Sequence, residues 1–405
     1  MATDNTDSSA TEHAQSVRIL ALISTGHALS NFYVLCLPVL IPFFKNEFQV
    51  SYALLGVILT TRALTSGLLQ MPVGFLVDVV GGKKLLIAGL FLLSGSFAAL
   101  AAIPSIWWAL PLMVVFGAGL ATMRPSNYTI LNASISPSWV GRAFGINMFA
   151  AHAGRALAPP LIVSIALLWD WRIAVLIAGG LGFVVTFALI SQWRYVRDDT
   201  VQPKRPKGLG AFQELRLLAS GSLALFFVFF IFNALTTHGV HSFSVAALAE
   251  LRATPLTVAS GALTGYLIAS ALGVLAGGFI VDKSPHHALI AVAVLLSSAS
   301  LFILIGALDM SIVLIVFVMS LAGILQGILR PARDMLMRAV IPRESFGKAI
   351  GMVATGAAVG GASAPIIFGW ILDMGHPSWL FYVLAVCLVI LITTVLIPKT
   401  RIVLP

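Results

Sequence analysis

Gly74-Phe75-Leu76-Val77-Asp78 returns 204 residues later as Gly278-Phe279-Ile280-Val281-Asp282. Other pieces return with it. Arg124-Pro125 reappears as Arg330-Pro331, Gly117 as Gly323, and Gly141-Arg142-Ala143-Phe144-Gly145 as Gly347-Lys348-Ala349-Ile350-Gly351, at offsets of 204–206. Gly145 to Pro159 and Gly351 to Pro365 share a fourteen-residue spacing. Five correspondences in one order and one register make the two halves of the chain related copies.

The halves are apolar throughout. Of 405 residues, 59% are hydrophobic and only 10% charged, and the mean hydropathy is +1.01. A soluble domain carries about 25% charged residues, so lipid is the solvent this composition fits. A membrane-spanning helix needs about 20 mostly apolar residues. Apolar runs read against Gly, Pro and charged punctuation give twelve spans: 17–44, 51–77, 84–104, 106–133, 143–168, 172–193, 218–247, 255–281, 288–307, 311–335, 349–372 and 379–398. The expected architecture is an all-α membrane protein of twelve transmembrane helices in two pseudo-symmetric six-helix bundles. Its parts are an N-terminal tail (1–16), a first bundle (17–193), a linker (194–217), a second bundle (218–398) and a C-terminal tail (399–405).

Orientation follows the Lys and Arg residues. One set of loops carries Arg18, Lys83, Lys84, Arg142, Arg194, Arg197, Lys204, Arg205, Lys207, Arg216, Lys283, Arg338, Arg343, Lys348, Lys399 and Arg401; the other carries only Lys45, Arg172 and Arg252. Both termini and the linker are therefore expected in the cytoplasm, and the chain in the inner (plasma) membrane. The net charge of +9 lies in short connectors, a topology signal rather than a nucleic-acid surface. Cys36 and Cys387 sit inside apolar runs and read as packing residues. No cleavable leader is read before the first span.

The loop Gly74-Phe75-Leu76-Val77-Asp78-Val79-Val80-Gly81-Gly82-Lys83-Lys84 resembles the signature loop of the major facilitator superfamily, and the resemblance runs along almost the whole chain. Val79 and Gly82 depart from it, standing where that family usually has basic residues. Gly26-His27-Ala28-Leu29-Ser30-Asn31, the fourth-span segment ending in Arg124-Pro125, and Gly141-Arg142-Ala143-Phe144-Gly145 are similar to the fosmidomycin-resistance branch, which would have His where Arg124 stands. The resemblance implies the major facilitator fold and alternating access. It also implies a monomer, with spans one, four, seven and ten lining a central cavity in which Arg124 and Arg330 face each other. Gly74, Asp78, Lys83, Gly278 and Asp282 are then gating candidates. Read without the family, Asp78 is favoured near a helix N-terminus, or the loop is a simple topogenic turn.

Ionisable groups inside spans are functional candidates by default. Arg62, Arg124, Arg155, Arg330 and Arg333 fall within spans, and Asp334 is the one carboxylate expected at similar depth. Arginine does not readily deprotonate. The excess of positive charge must be met by carbonyls, water or an incoming anion. Two guanidinium forks, Arg124 and Arg330, suit a carboxylate, phosphonate or phosphate. In the alternative, Arg330 pairs with Asp334 at i+4 and Arg124 snorkels to the membrane surface. Asn127 and Tyr128 follow Arg124 by three and four residues, and Gln326 precedes Arg330 by one turn. Arg62 and Arg155 are a second pair of candidate contacts.

His27 shares a helical face with Ser30 and Asn31, and Asn233, Thr237 and His241 form an i, i+4, i+8 polar stripe. Such a stripe in lipid must face protein or water. A histidine there can carry a coupling proton or make an interhelical hydrogen bond. Tyr266 completes the residues expected to shape the cavity.

No phosphate loop is present, no Cys/His cluster has metal-ligand spacing, and no nucleophile has a base and an orienting partner. Neither enzyme nor cofactor protein is expected. No span carries an acidic residue of the kind a proton-coupled exporter of cationic drugs would need. The expected activity is secondary transport of a small organic anion, by proton symport or exchange, with lipid and the substrate as partners. Efflux of a drug or metabolite is one alternative. A transporter-like sensor without flux is another.

Overall fold

A computed structural model describes residues 4–136, 139–192, 221–340 and 346–397. Among them are twelve helices long and apolar enough to cross a membrane. In chain order these are α1 (Asp4–Phe48), α2 (Tyr52–Val80), α3 (Gly82–Ala99), α4 (Ala109–Ser134), α5 (Val140–Leu168), α6 (Trp171–Ser191), α7 (Gly221–Arg252), α8 (Leu256–Lys283), α9 (His287–Ala307), α10 (Ile312–Val340), α11 (Phe346–Asp373) and α12 (Pro377–Leu396). The expected linker and C-terminal tail lie almost wholly outside the described residues. The expected N-terminal tail is helical from Asp4, continuous with the first span. No Gly or Pro interrupts the chain before Gly26.

The helices form two compact units: Met1–Leu40 with Thr61–Pro203, and Ile41–Thr60 with Lys204–Pro405. The tip of the α1–α2 hairpin thus packs with the second half of the chain, although an even division would leave it in the first. In the first unit α3 packs along α4 and α6. In the second, α8 packs along α10, α7 against α11 and α12, and α9 against α10 and α12.

Small residues let these helices approach closely, as is common where lipid removes any hydrophobic drive to associate. The approaches repeat. A Cβ on Gly117 of α4 would lie 2.8 Å from the Arg62 carbonyl of α2, and one on Gly323 of α10 would strike the Tyr266 carbonyl of α8. Likewise Gly154 of α5 rests on the Ala28 carbonyl of α1, and Gly360 of α11 on the Ile231 carbonyl of α7. The duplication is therefore a duplication of packing. The turn after α2 is made by Gly81 at φ 95°, a conformation that glycine adopts without strain.

Candidate functional site

In the first unit, α1, α4 and α5 bring a polar group together. His27 is 5% exposed and Asn31 7%. Nδ1 of His27 lies 2.7 Å from Oδ1 of Asn147 and 3.2 Å from its carbonyl oxygen. A carbonyl can only accept, so Nδ1 carries the hydrogen. Nε2 has no hydrogen-bond partner among the described residues. Asn147 in turn donates Nδ2–H to Ser24 at 3.3 Å. Asn31 donates to the His27 carbonyl at 2.8 Å and accepts Nε–H of Arg155 at 2.9 Å. Arg155 and Arg124 both reach the His27 ring electrostatically.

The two arginines differ in what they have spent. Arg155 is half-buried and oriented by Asn31. Arg124 is exposed and makes no hydrogen bond or ion pair among the described residues. Tyr128, one turn on, is 48% exposed and its ring lies 4.9 Å from that of Phe144. Asn127 is buried with both amide atoms unpartnered. His152 is turned back on its own helix, Nδ1 2.9 Å from the Met148 carbonyl.

Arg62 of α2 reaches the α1 backbone three residues on from Asn31. It is 5% exposed, and its Nη1 donates to the Val34 carbonyl at 2.7 Å.

In the second unit, α7, α8 and α10 hold the counterparts. Arg330 interacts electrostatically with Tyr266, whose ring lies 6.1 Å from that of His241 in an edge-on arrangement. Gln326 is 6% exposed and its Nε2 is unpartnered. Asn233 and Thr237 are half-buried and make no hydrogen bond among the described residues. Their polar groups are unspent although burial of such groups is costly. Asp334 pairs with its neighbour Arg333 at 2.9 Å and is 52% exposed. Arg333 also lies over the Phe230 ring, 4.7 Å from its centroid.

The Asp and Gly gating candidates are uncovered among the described residues. Asp78 and Asp282 are exposed and have no partner among the described residues, and a Cβ on Gly74 or Gly278 would meet nothing within 4 Å. Lys83 is half-buried at the start of α3. The polar contacts are instead at the α1–α2 tip. Asp373, the last residue of α11, accepts the backbone N–H groups of Tyr52 at 2.7 Å and Ala53 at 2.8 Å. Tyr52 donates its hydroxyl to Glu250 at 2.5 Å. Lys45 lies 4.0 Å from Asp373 and 4.1 Å from the Tyr52 ring centroid.

Sequence reasoning missed Asn147, Tyr52 and Glu250. Asn147 had a signal, since it stands eight residues before Arg155 on one face of α5. Among the described residues no group of three His, Cys, Asp or Glu side chains could hold a metal ion.

Comparison with known proteins adds what geometry cannot. The model of the Major Facilitator Superfamily matches residues 21–251 and 237–404. The chain is 26% identical over 372 residues to the fosmidomycin resistance protein of Escherichia coli (strain K12), covering 88% of each. Over 182 residues it is 23% identical to the hexuronate transporter of the same organism, covering 45% of this chain and 42% of that protein. The crystal structure of the nucleoside transporter NupG superposes with a TM-score of 0.76 over 94% of this chain and 98% of that one, at 14% identity.

Proposed function

The chain belongs to the Major Facilitator Superfamily, a multi-pass membrane transporter and not an enzyme, and on that premise we propose that it moves a small organic anion of the carboxylate or phosphonate type. One observation carries the reading: Arg124 and Arg155 both act electrostatically on His27, and Arg124 has no anionic partner among the described residues. A guanidinium placed near the middle of a span and left uncompensated is costly, and an anionic substrate would supply the missing charge bidentately.

The second unit supports the same substrate class. Arg330, with Tyr266, Gln326, Asn233, Thr237 and His241, offers donors to an anion's oxygens. The two relatives also fit, since one is named for hexuronates, which are carboxylates, and the other for fosmidomycin, a phosphonate. We assign Arg124 and Arg330 as anion ligands, Arg155 as a third cation held by Asn31, and the remaining polar groups as the lining. His27 is the candidate for a coupling proton, because Nε2 remains for a proton or a substrate hydroxyl once Nδ1 is spent on Asn147. Asp78, Asp282, Gly74, Gly278 and Lys83 are assigned to the cytoplasmic latch. We further propose that both termini lie in the cytoplasm, as the basic loops favour, and that the protein works in the inner membrane as a monomer, as the family resemblance implies.

The test is counterflow in proteoliposomes. Vesicles loaded with unlabelled D-galacturonate or fosmidomycin should accumulate the labelled compound from outside, and Arg124→Ala vesicles should not. Absence of counterflow for both anions, with counterflow of a cationic drug, would refute the anion reading. The efflux alternative is favoured by the resistance-protein relative. It predicts raised fosmidomycin tolerance on expression, whereas uptake predicts growth on the sugar acid.

A further inference from the structure

Pro38 and Arg62 are 24 positions apart and meet through one carbonyl. In an α-helix the carbonyl of residue i accepts the N–H of residue i+4. Pro38 has no N–H, so the Val34 carbonyl is left without its helical donor. Arg62 of α2 supplies a substitute, Nη1 donating to that carbonyl at 2.7 Å. The remainder of the guanidinium gains little: Nε has no partner, and Arg62 forms no ion pair among the described residues. Burying a guanidinium for one neutral acceptor is unfavourable taken alone.

The division of the chain indicates what the arrangement achieves. The boundary between the compact units crosses α1 between Leu40 and Ile41, two residues past Pro38, and crosses α2 between Thr60 and Thr61, just before Arg62. Beyond that line the hairpin Ile41–Thr60 is bound to the second unit. Asp373 caps α2 through Tyr52 and Ala53, and Tyr52 reaches Glu250. Thr60 donates to the Ala362 carbonyl at 2.7 Å. Gly56 rests on the Pro365 carbonyl and Gly369 on the Tyr52 carbonyl, with no room for a side chain at either glycine. Two helices thus change partners at one level, where one carries a carbonyl that proline leaves without its helical donor and the other carries the group that satisfies it. Prolines of this kind persist in membranes only where a neighbour takes up the freed carbonyl.

We propose that Arg62 is a positioning residue, not an anion ligand: it satisfies the carbonyl freed by Pro38, about which the hairpin Ile41–Thr60 bends as a gate. The guanidinium can follow the carbonyl through a bend because its several N–H donors allow the contact to be remade as the helix axis turns. The gate stands independently of substrate class, since none of its contacts involves Arg124, Arg155 or Arg330.

The experiment uses full-length protein with Cys36→Ala and Cys387→Ala and one reporter, Leu55→Cys, at a position 2% exposed in the hairpin. The readouts are the thermal midpoint in detergent and the rate of maleimide labelling. Arg62→Met should lower the midpoint and change the labelling rate by about tenfold, the loss of a hydrogen bond from a charged donor. Pro38→Ala restores a backbone N–H at position 38, so in that background Arg62→Met should have little effect on either readout. Arg62→Lys, which keeps a cationic donor, should fall between wild type and Arg62→Met. An equal effect of Arg62→Met in both backgrounds would overturn the proposal. So would a lowered midpoint with unchanged labelling, or unchanged midpoint and labelling with loss of stabilisation by D-galacturonate, the last making Arg62 a ligand.

Discussion

Arg62 and Tyr266 hold one station in the two copies of the repeat. They are separated by the same 204 residues as Asp78 and Asp282, and the carbonyl of each is the atom that a Cβ on Gly117 or Gly323 would meet. The backbone contact has been kept and the side chains have diverged. In the first copy the side chain donates to the α1 carbonyl that Pro38 leaves without a helical donor; in the second it is an aromatic hydroxyl beside His241 and Arg330.

The shared contact makes the two glycines sensitive. Gly117→Ala and Gly323→Ala should each cost about 1–3 kcal/mol, the usual penalty of overpacking, because the obstacle is backbone and cannot swing aside. Gly278→Ala should be silent, as nothing lies within 4 Å of its Cβ position. Thermal midpoints of the three variants in one detergent check the contrast.

Asn31 accepts Nε–H of Arg155 and so orients it. Asn31→Asp places a carboxylate where the amide oxygen accepts Nε–H at 2.9 Å, neutralising the cation in place. Anion affinity should fall by about tenfold or more, as for loss of a hydrogen bond to a charged group, while the fold persists. Titration of the purified variant with D-galacturonate by calorimetry measures this, and unchanged affinity would remove Arg155 from the site.

Asp373 caps α2 from another helix with two charge-assisted hydrogen bonds, a stronger class than neutral pairs. Asp373→Asn loses the charge, and Asp373→Ala loses the cap, which typically costs about 1 kcal/mol. Both should raise maleimide labelling of a cysteine at Leu55, Asp373→Ala more than Asp373→Asn. Equal labelling in all three proteins would show that the cap does not hold the hairpin.

Much of the fold was legible because lipid imposes a coarse rule: each span needs about 20 apolar residues, and punctuation between them counts the helices. The duplication was legible because its motifs recur in one order and one register, and at one pair, Gly117 and Gly323, the glycine marks a contact that tolerates no side chain. The site was partly legible. Arginines in spans announce themselves by cost, and Arg124 has no ion pair among the described residues. Asn147 was overlooked because an uncharged residue in a span is cheap enough to pass unnoticed. Tyr52, Glu250 and Asp373 could not be joined from sequence: 198 and 321 positions separate the partners, and helical periodicity says nothing at that range. Arg62 had a readable half, the carbonyl that Pro38 leaves open, but which side chain would reach it depended on how α2 lies against α1.

The central claim is that Arg124 awaits an anion. Its most direct test is the thermal midpoint of the detergent-purified protein against D-galacturonate, fosmidomycin and a lipophilic cation such as tetraphenylphosphonium, in wild type and Arg124→Ala. A ligand that binds the folded state raises the midpoint with concentration, by about 2.7 kcal/mol of added stability at a hundred times Kd. Arg124 is exposed and unpaired among the described residues, so the variant should fold as wild type does. The account predicts that at least one of the two anions stabilises the wild type and not Arg124→Ala. Stabilisation by tetraphenylphosphonium alone, or by an anion equally in both proteins, would contradict it.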